Sequence, residues 1–68
     1  MDKTSIGVRL SLLRGARTRA EVAAAIGISA SALAMYELGH RIPRDEIKVS
    51  LSKYYGVSIE SLFYGMAS

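Results

Sequence analysis

The stretch Thr18-Arg19-Ala20-Glu21-Val22-Ala23-Ala24-Ala25-Ile26-Gly27-Ile28-Ser29-Ala30 decides how this chain folds. Thr18 followed three residues later by Glu21 is a capping box: the threonine oxygen accepts an early amide and the glutamate reaches back. It predicts a helix over residues 19–26, with Val22, Ala23 and Ile26 on the buried stripe. Gly27 stops that helix, because glycine takes the positive φ of a helix end at little cost. Ser29 starts the next one as its N-cap. That second helix runs from about Ala30 to Leu38, with Leu33 and Tyr36 inward, and Gly39 ends it.

The flanks read the same way. Ile6, Leu10 and Leu13 fall on one face of a helix over about Thr4 to Arg14, closed by Gly15. After the loop Gly39-His40-Arg41-Ile42, a helix from about Pro43 or Arg44 to Tyr55 has proline in its first turn, and Asp45 and Glu46 at the positive end of its dipole. Ile47, Leu51, Tyr54 and Tyr55 form its stripe, and Val49 falls off it. Ser58 caps a last helix over about Ile59 to Tyr64. Tyr36, Tyr55 and Phe63 are read as core. Period-2 alternation occurs only at Ile47-Lys48-Val49-Ser50-Leu51, with no turn signal to close a hairpin. The expectation is an all-α, five-helix fold and a single domain over residues 1–68.

Composition narrows the function. Half of the 68 residues are apolar and 22% are charged, a globular balance. A chain this short has a thin stability margin, so packing must be efficient, and pairing with a second copy is one way to help it. There is no cysteine, and one histidine with six acids leaves too few ligands for a structural zinc site. No cofactor and no metal are expected. Neither a cysteine nucleophile nor a glycine-rich phosphate loop after a strand is present, so the chain does not read as an enzyme. Its longest apolar run, Val22 to Ile28, is far shorter than the ~18 residues of a membrane span. No secretory h-region opens the sequence, and a cytoplasmic protein is the default. The net charge is +3, with Arg14, Arg17 and Arg19 in one cluster and Arg41 and Arg44 in another. Such clusters suit a polyanion.

Two short helices joined by Gly27-Ile28-Ser29 have the build of a helix-turn-helix: a small residue at the turn, an apolar plug, a cap. Helical hairpins with purely structural roles share that pattern. Several motifs add to it. Leu13-Arg14, Thr18-x-x-Glu21-Val22-Ala23-x-x-Ile26-Gly27-Ile28-Ser29, Tyr36-Glu37-x-Gly39-x-Arg41-Ile42-Pro43 and Tyr55-Gly56-Val57-Ser58-Ile59-Glu60-Ser61-Leu62-Phe63 stand in order. Over residues 6–64 the chain resembles the Xre family, the lambda-repressor and Cro-like regulators of phages and bacteria. The resemblance implies a five-helix domain that binds double-stranded operator DNA, usually as a homodimer. Its third helix would enter the major groove and its second would lie across the backbone.

By that analogy Arg17, Thr18, Arg19, Ser29, His40 and Arg41 meet the DNA backbone. Ala30, Ser31, Ala34 and Met35 face the bases. Arg44 is read first as a solvated first-turn side chain, with minor-groove contact as its alternative. Arg14 and Glu37 are expected to pair and tie the first helix to the third. Leu62, Tyr64 and Met66 are candidates for a dimer seam. The sequence departs from the family in its short Gly15-Ala16-Arg17 connection, in Arg19 where many relatives have glutamine, and in the third helix. Ala30, Ser31, Ala34 and Met35 lack the bidentate donors that read purines, so direct readout is expected to be weak. The alternative function is a protein-interaction module, antitoxin-like or regulatory, on the same fold, with a protein partner on the third helix.

Overall fold

A computed structural model describes residues 1–65. Among them the structure holds five helices and no strand: α1 (Lys3–Arg14), α2 (Arg19–Ile26), α3 (Ala30–Glu37), α4 (Asp45–Tyr55) and α5 (Ile59–Tyr64). The chain is all-α, as its caps and periodicities predict. Ser29 Oγ accepts from Ala32 N at 3.0 Å and Ser58 Oγ from Ser61 N at 3.0 Å. Thr18 Oγ1 accepts from Glu21 N at 3.1 Å. Each bond satisfies an amide that would otherwise lack an intrahelical partner. The first helix starts one residue earlier than expected because Asp2 caps it, accepting from Ser5 N at 3.1 Å and from Ser5 Oγ at 2.6 Å.

The largest shift of a boundary is at α4. Pro43 does not open that helix; it lies fully buried in the preceding loop, and Arg44 occupies the N-cap position without a side-chain cap. The buried side of α4 also differs from the expected stripe. Leu51 is central as predicted, but Lys48 and Ser52 accompany it, while Ile47, Tyr54 and Tyr55 are half-buried. Lys48 is tolerated there because its ammonium stays 3.6 Å from Asp45 Oδ1 and lies over the Phe63 ring, 5.8 Å from its centroid. Val49, which fitted no stripe, is exposed.

One core joins the five helices: Ile6 and Leu10 of α1, Val22 and Ala23 of α2, Leu33 and Tyr36 of α3, Leu51 of α4, Leu62 and Phe63 of α5. Leu62 is fully buried. It is therefore a core residue and not part of a dimer seam, because a side chain with no exposed surface has none to give a partner. Tyr64, beside it, is exposed, and Met66 lies outside the described residues. Tyr55, expected in the core, stands at its edge.

The backbones of α1 and α3 approach closely at Gly7. A Cβ at Gly7 would lie 2.9 Å from Tyr36 O and nearer still to Glu37 O. Glycine lets the two helices touch main chain to main chain. This crossing holds α3 against the body of the domain.

Candidate nucleic-acid interface

The turn between α2 and α3 is built by local geometry. Gly27 adopts φ 77° and ψ 32°, the left-handed region. Ile28 N then donates to Ala23 O at 2.9 Å, and the Ile28 side chain is half-buried against the core. These contacts fix the angle at which α3 leaves α2. Leu33, Tyr36 and Glu37 turn inward from α3. Ala30, Ser31, Met35 and Leu38 are exposed, so the outward face is the one that the family analogy assigns to bases. Ala34 is half-buried, between the two faces.

On its inner side α3 carries Glu37, the centre of a polar cluster. Glu37 has its side chain 1% exposed, and each of its oxygens takes a different arginine. Arg14 Nε donates to Oε2 at 2.8 Å, and Arg19 Nε donates to Oε1 at 2.9 Å. Arg14 also donates from Nη1 to Arg17 O at 2.7 Å. Its bond to Glu37 raises the Arg14 pKa above the ordinary arginine range, with burial opposing and the carboxylate's charge assisting. The cluster links the end of α1, the start of α2 and the end of α3. A buried carboxylate needs donors at both oxygens, and the cluster supplies them.

Two arginines assigned to DNA phosphates therefore have partners inside the protein. Arg19 has its Nε on Glu37 and keeps 37% of its side chain exposed. Arg17 lies over Tyr54 and Tyr55, 5.3 Å and 5.5 Å from the ring centroids, and its Nη2 donates to Leu13 O at 3.3 Å. The short Gly15-Ala16-Arg17 connection brings it there. The Tyr55 hydroxyl beneath it is buried without a hydrogen-bond partner, and burial raises its pKa. The sequence carried a signal for neither contact, since both join residues far apart in the chain.

The other basic group stays free of such ties. His40 and Arg41 are exposed in the loop after α3, and Arg41 has no ion-pair partner among the described residues. Arg44 is 73% exposed and sits a loose 3.6 Å from Glu46 Oε2. Arg41 and Arg44 border an open cleft of about 340 Å³ floored by Ile28, Ala32 and Ile47, beside the exposed face of α3. Between Glu21 and Asp45 the only acidic residue is Glu37, which is buried and neutralised twice. Residues 30–44 thus present cations and no exposed carboxylate of their own; the exposed Asp45 and Glu46 follow, and Glu46 faces Arg44. Thr18 and Ser29 are exposed at the N-termini of α2 and α3, their oxygens engaged as caps.

Residues 10–62 match a family of proteins described as helix-turn-helix. No curated protein and no solved structure matches the chain.

Proposed function

The chain belongs to this helix-turn-helix family, of the Xre and lambda-repressor type, and is a DNA-binding transcription regulator; from that premise we propose that it is a repressor whose α3 enters the major groove. The observation that carries the reading is the exposed face of α3, Ala30, Ser31 and Met35, which bears no exposed carboxylate and is followed in the loop by the exposed His40 and Arg41. In this arrangement Arg41, His40 and the outer nitrogens of Arg19 hold phosphates on either side of the groove. The Thr18 and Ser29 hydroxyls hold others at the helix starts. Arg44 reaches the minor-groove edge or stays solvated. Ala30, Ala34 and Met35 offer methyl and thioether contacts to thymine methyls, and Ser31 offers one hydroxyl, so DNA shape supplies much of the discrimination. A dimer on two half-sites fits this reading, and its phage or mobile-element type is carried over from the resemblance.

Selection of bound duplexes from a random pool, followed by titration at several salt concentrations, tests it. With two or three cations per subunit on phosphates, log K should fall against log salt with a slope of about −4 to −5 for a dimer. Arg41→Ala should flatten that slope by about 2 and weaken all sequences alike. Binding that ignores salt, or no binding at ~50 mM salt, would refute the reading. One observation favours a second reading. Met35 on α3 and Leu38, its C-cap, are 36% and 59% exposed, an apolar pair suited to a protein partner. Capture of a protein through α3 without DNA affinity would establish that alternative.

A further inference from the structure

The cleft beside α3 has two kinds of wall. One is apolar: Ala32 and Tyr36, a turn apart on α3, with Ile28 from the turn before it, Ile42 from the loop after it and Ile47 from α4. The other is cationic, formed by Arg41 and Arg44, and no carboxylate lines the cleft. Arg41 is exposed and has no ion-pair partner among the described residues. Arg44 faces Glu46 at 3.6 Å, too long for a hydrogen bond, and both side chains are largely exposed. Such a pair holds weakly against a competing anion. The two arginines flank Ile42 and Pro43, and the fully buried Pro43 fixes the backbone that carries them.

A DNA phosphate would answer the guanidiniums and leave the isoleucines uncovered. A neutral apolar molecule would cover the isoleucines and leave both charges unanswered. At about 340 Å³ the cleft stands at the low end of small-ligand sites, ~300–1,000 Å³, with room for one ring or a short alkyl chain. We propose that it binds a small organic acid, an apolar ring or short chain bearing one carboxylate. The carboxylate meets Arg41 and Arg44, whose planar guanidiniums match it, and the apolar body covers Ile28, Ala32 and Ile47. The consequence rests on the DNA reading above: Arg41 cannot hold the acid and a phosphate at once, so the acid weakens the DNA complex.

The test uses phenylbutyrate, titrated into the full nitrogen-15-labelled chain without DNA, at constant pH and ionic strength. Saturating amide shifts are expected at Ile28, Ala32, Ile42 and Ile47, with a Kd on the order of 1 mM. Val57 and Ser61, in the groove between α1 and α5, should not move. Arg41 and Arg44 are exposed, so their alanine variants should fold. Each should raise the Kd roughly two- to fivefold. Phenylbutyramide, which lacks the charge, and acetate, which lacks the apolar body, should each bind about tenfold more weakly. An amide that binds as well as the acid, variants that bind it unchanged, shifts centred elsewhere, or no saturation at about ten times that Kd overturns the proposal. On a duplex from the selection, phenylbutyrate at about five times its Kd should raise the DNA Kd roughly sixfold for each competing subunit. Unchanged DNA affinity with the acid bound overturns the competition. A chain that takes up the acid but shows no salt-dependent DNA affinity keeps this site and loses the DNA reading. A chain that binds DNA and never takes up the acid keeps the DNA reading and loses this inference.

Discussion

Gly7→Ala is a substitution for which the helix and the fold give opposite signs. Within an isolated helix, alanine is better than glycine by about 0.8–1.0 kcal/mol, so local propensity predicts a stabilised α1. The crossing with α3 reverses this. The new Cβ would lie 2.9 Å from Tyr36 O, inside the 3.4 Å at which ordinary contact begins, and closer still to Glu37 O. Both obstacles are backbone atoms of the last turn of α3, which no side-chain rotation can move aside. The helices would have to part by more than about half an ångström, opening voids around Ile6 and Leu10 next to the crossing. Overpacking usually costs about 1–3 kcal/mol, and a main-chain obstacle puts this site at the upper end. After the propensity gain, a net loss of about 2 kcal/mol remains. For a domain of this size that corresponds to a fall in Tm of roughly 8–16 °C. A domain of this length is stable by only about 3–10 kcal/mol, so the loss should also be plain in the urea midpoint. Thermal and urea unfolding followed by circular dichroism would measure it, with Ser11→Ala on the exposed side of α1 as a control. A Gly7→Ala variant as stable as the parent, or more so, would refute the close crossing of α1 and α3.

Three further outcomes are expected. Glu37→Ala removes the carboxylate that two arginines share and should cost about 3–5 kcal/mol in urea unfolding, more than either Arg14→Ala or Arg19→Ala; a loss no greater than that of Arg19→Ala would show that the cluster contributes little. Ser29→Ala deletes the cap of α3 and should cost about 1 kcal/mol, with DNA affinity falling beyond the stability loss if the cap also sets the angle of the reading helix; an unchanged urea midpoint would count against the cap. Hydrogen bonds from Ser5, the side-chain bond first and the backbone bond second, hold the Asp2 carboxyl below its ordinary value. A depressed carboxylate gives stability that is present above the unfolded-chain pKa of about 3.9 and is lost as pH falls through the folded value. Exchange of the Ser5 amide should therefore quicken relative to mid-α1 amides below about pH 4, and protection unchanged down to pH 2 would disprove the cap's role.

The helices of this protein are written in interactions that span three or four residues. Thr18 with Glu21, Ser29 with Ala32 and Ser58 with Ser61 are such pairs. Gly27 marks the turn because one backbone conformation is needed there. The sequence by itself therefore determined the five elements, their all-α character, the helix-turn-helix and most of the core. The cap Asp2, which starts α1 at Lys3, was not read from it. Periodicity tells which residues share a face; it does not tell which face meets which. Arg19 and Glu37 are 18 positions apart, and Arg9 reaches the carbonyl of Leu62 across 53. Only the tertiary arrangement decided that Arg19 serves the buried carboxylate, that Arg17 lies on Tyr54 and Tyr55, and that Leu62 points into the core and not toward a partner. The same holds for Gly7, an indifferent glycine in the sequence and a point of close approach between α1 and α3 in the fold. An arginine beside a helix start suits a phosphate equally well whether or not a carboxylate is folded up against it. The packing of α1 and α2 on α3 is what supplies that carboxylate, and it leaves Arg41, in the loop after α3, exposed and without an ion-pair partner among the described residues.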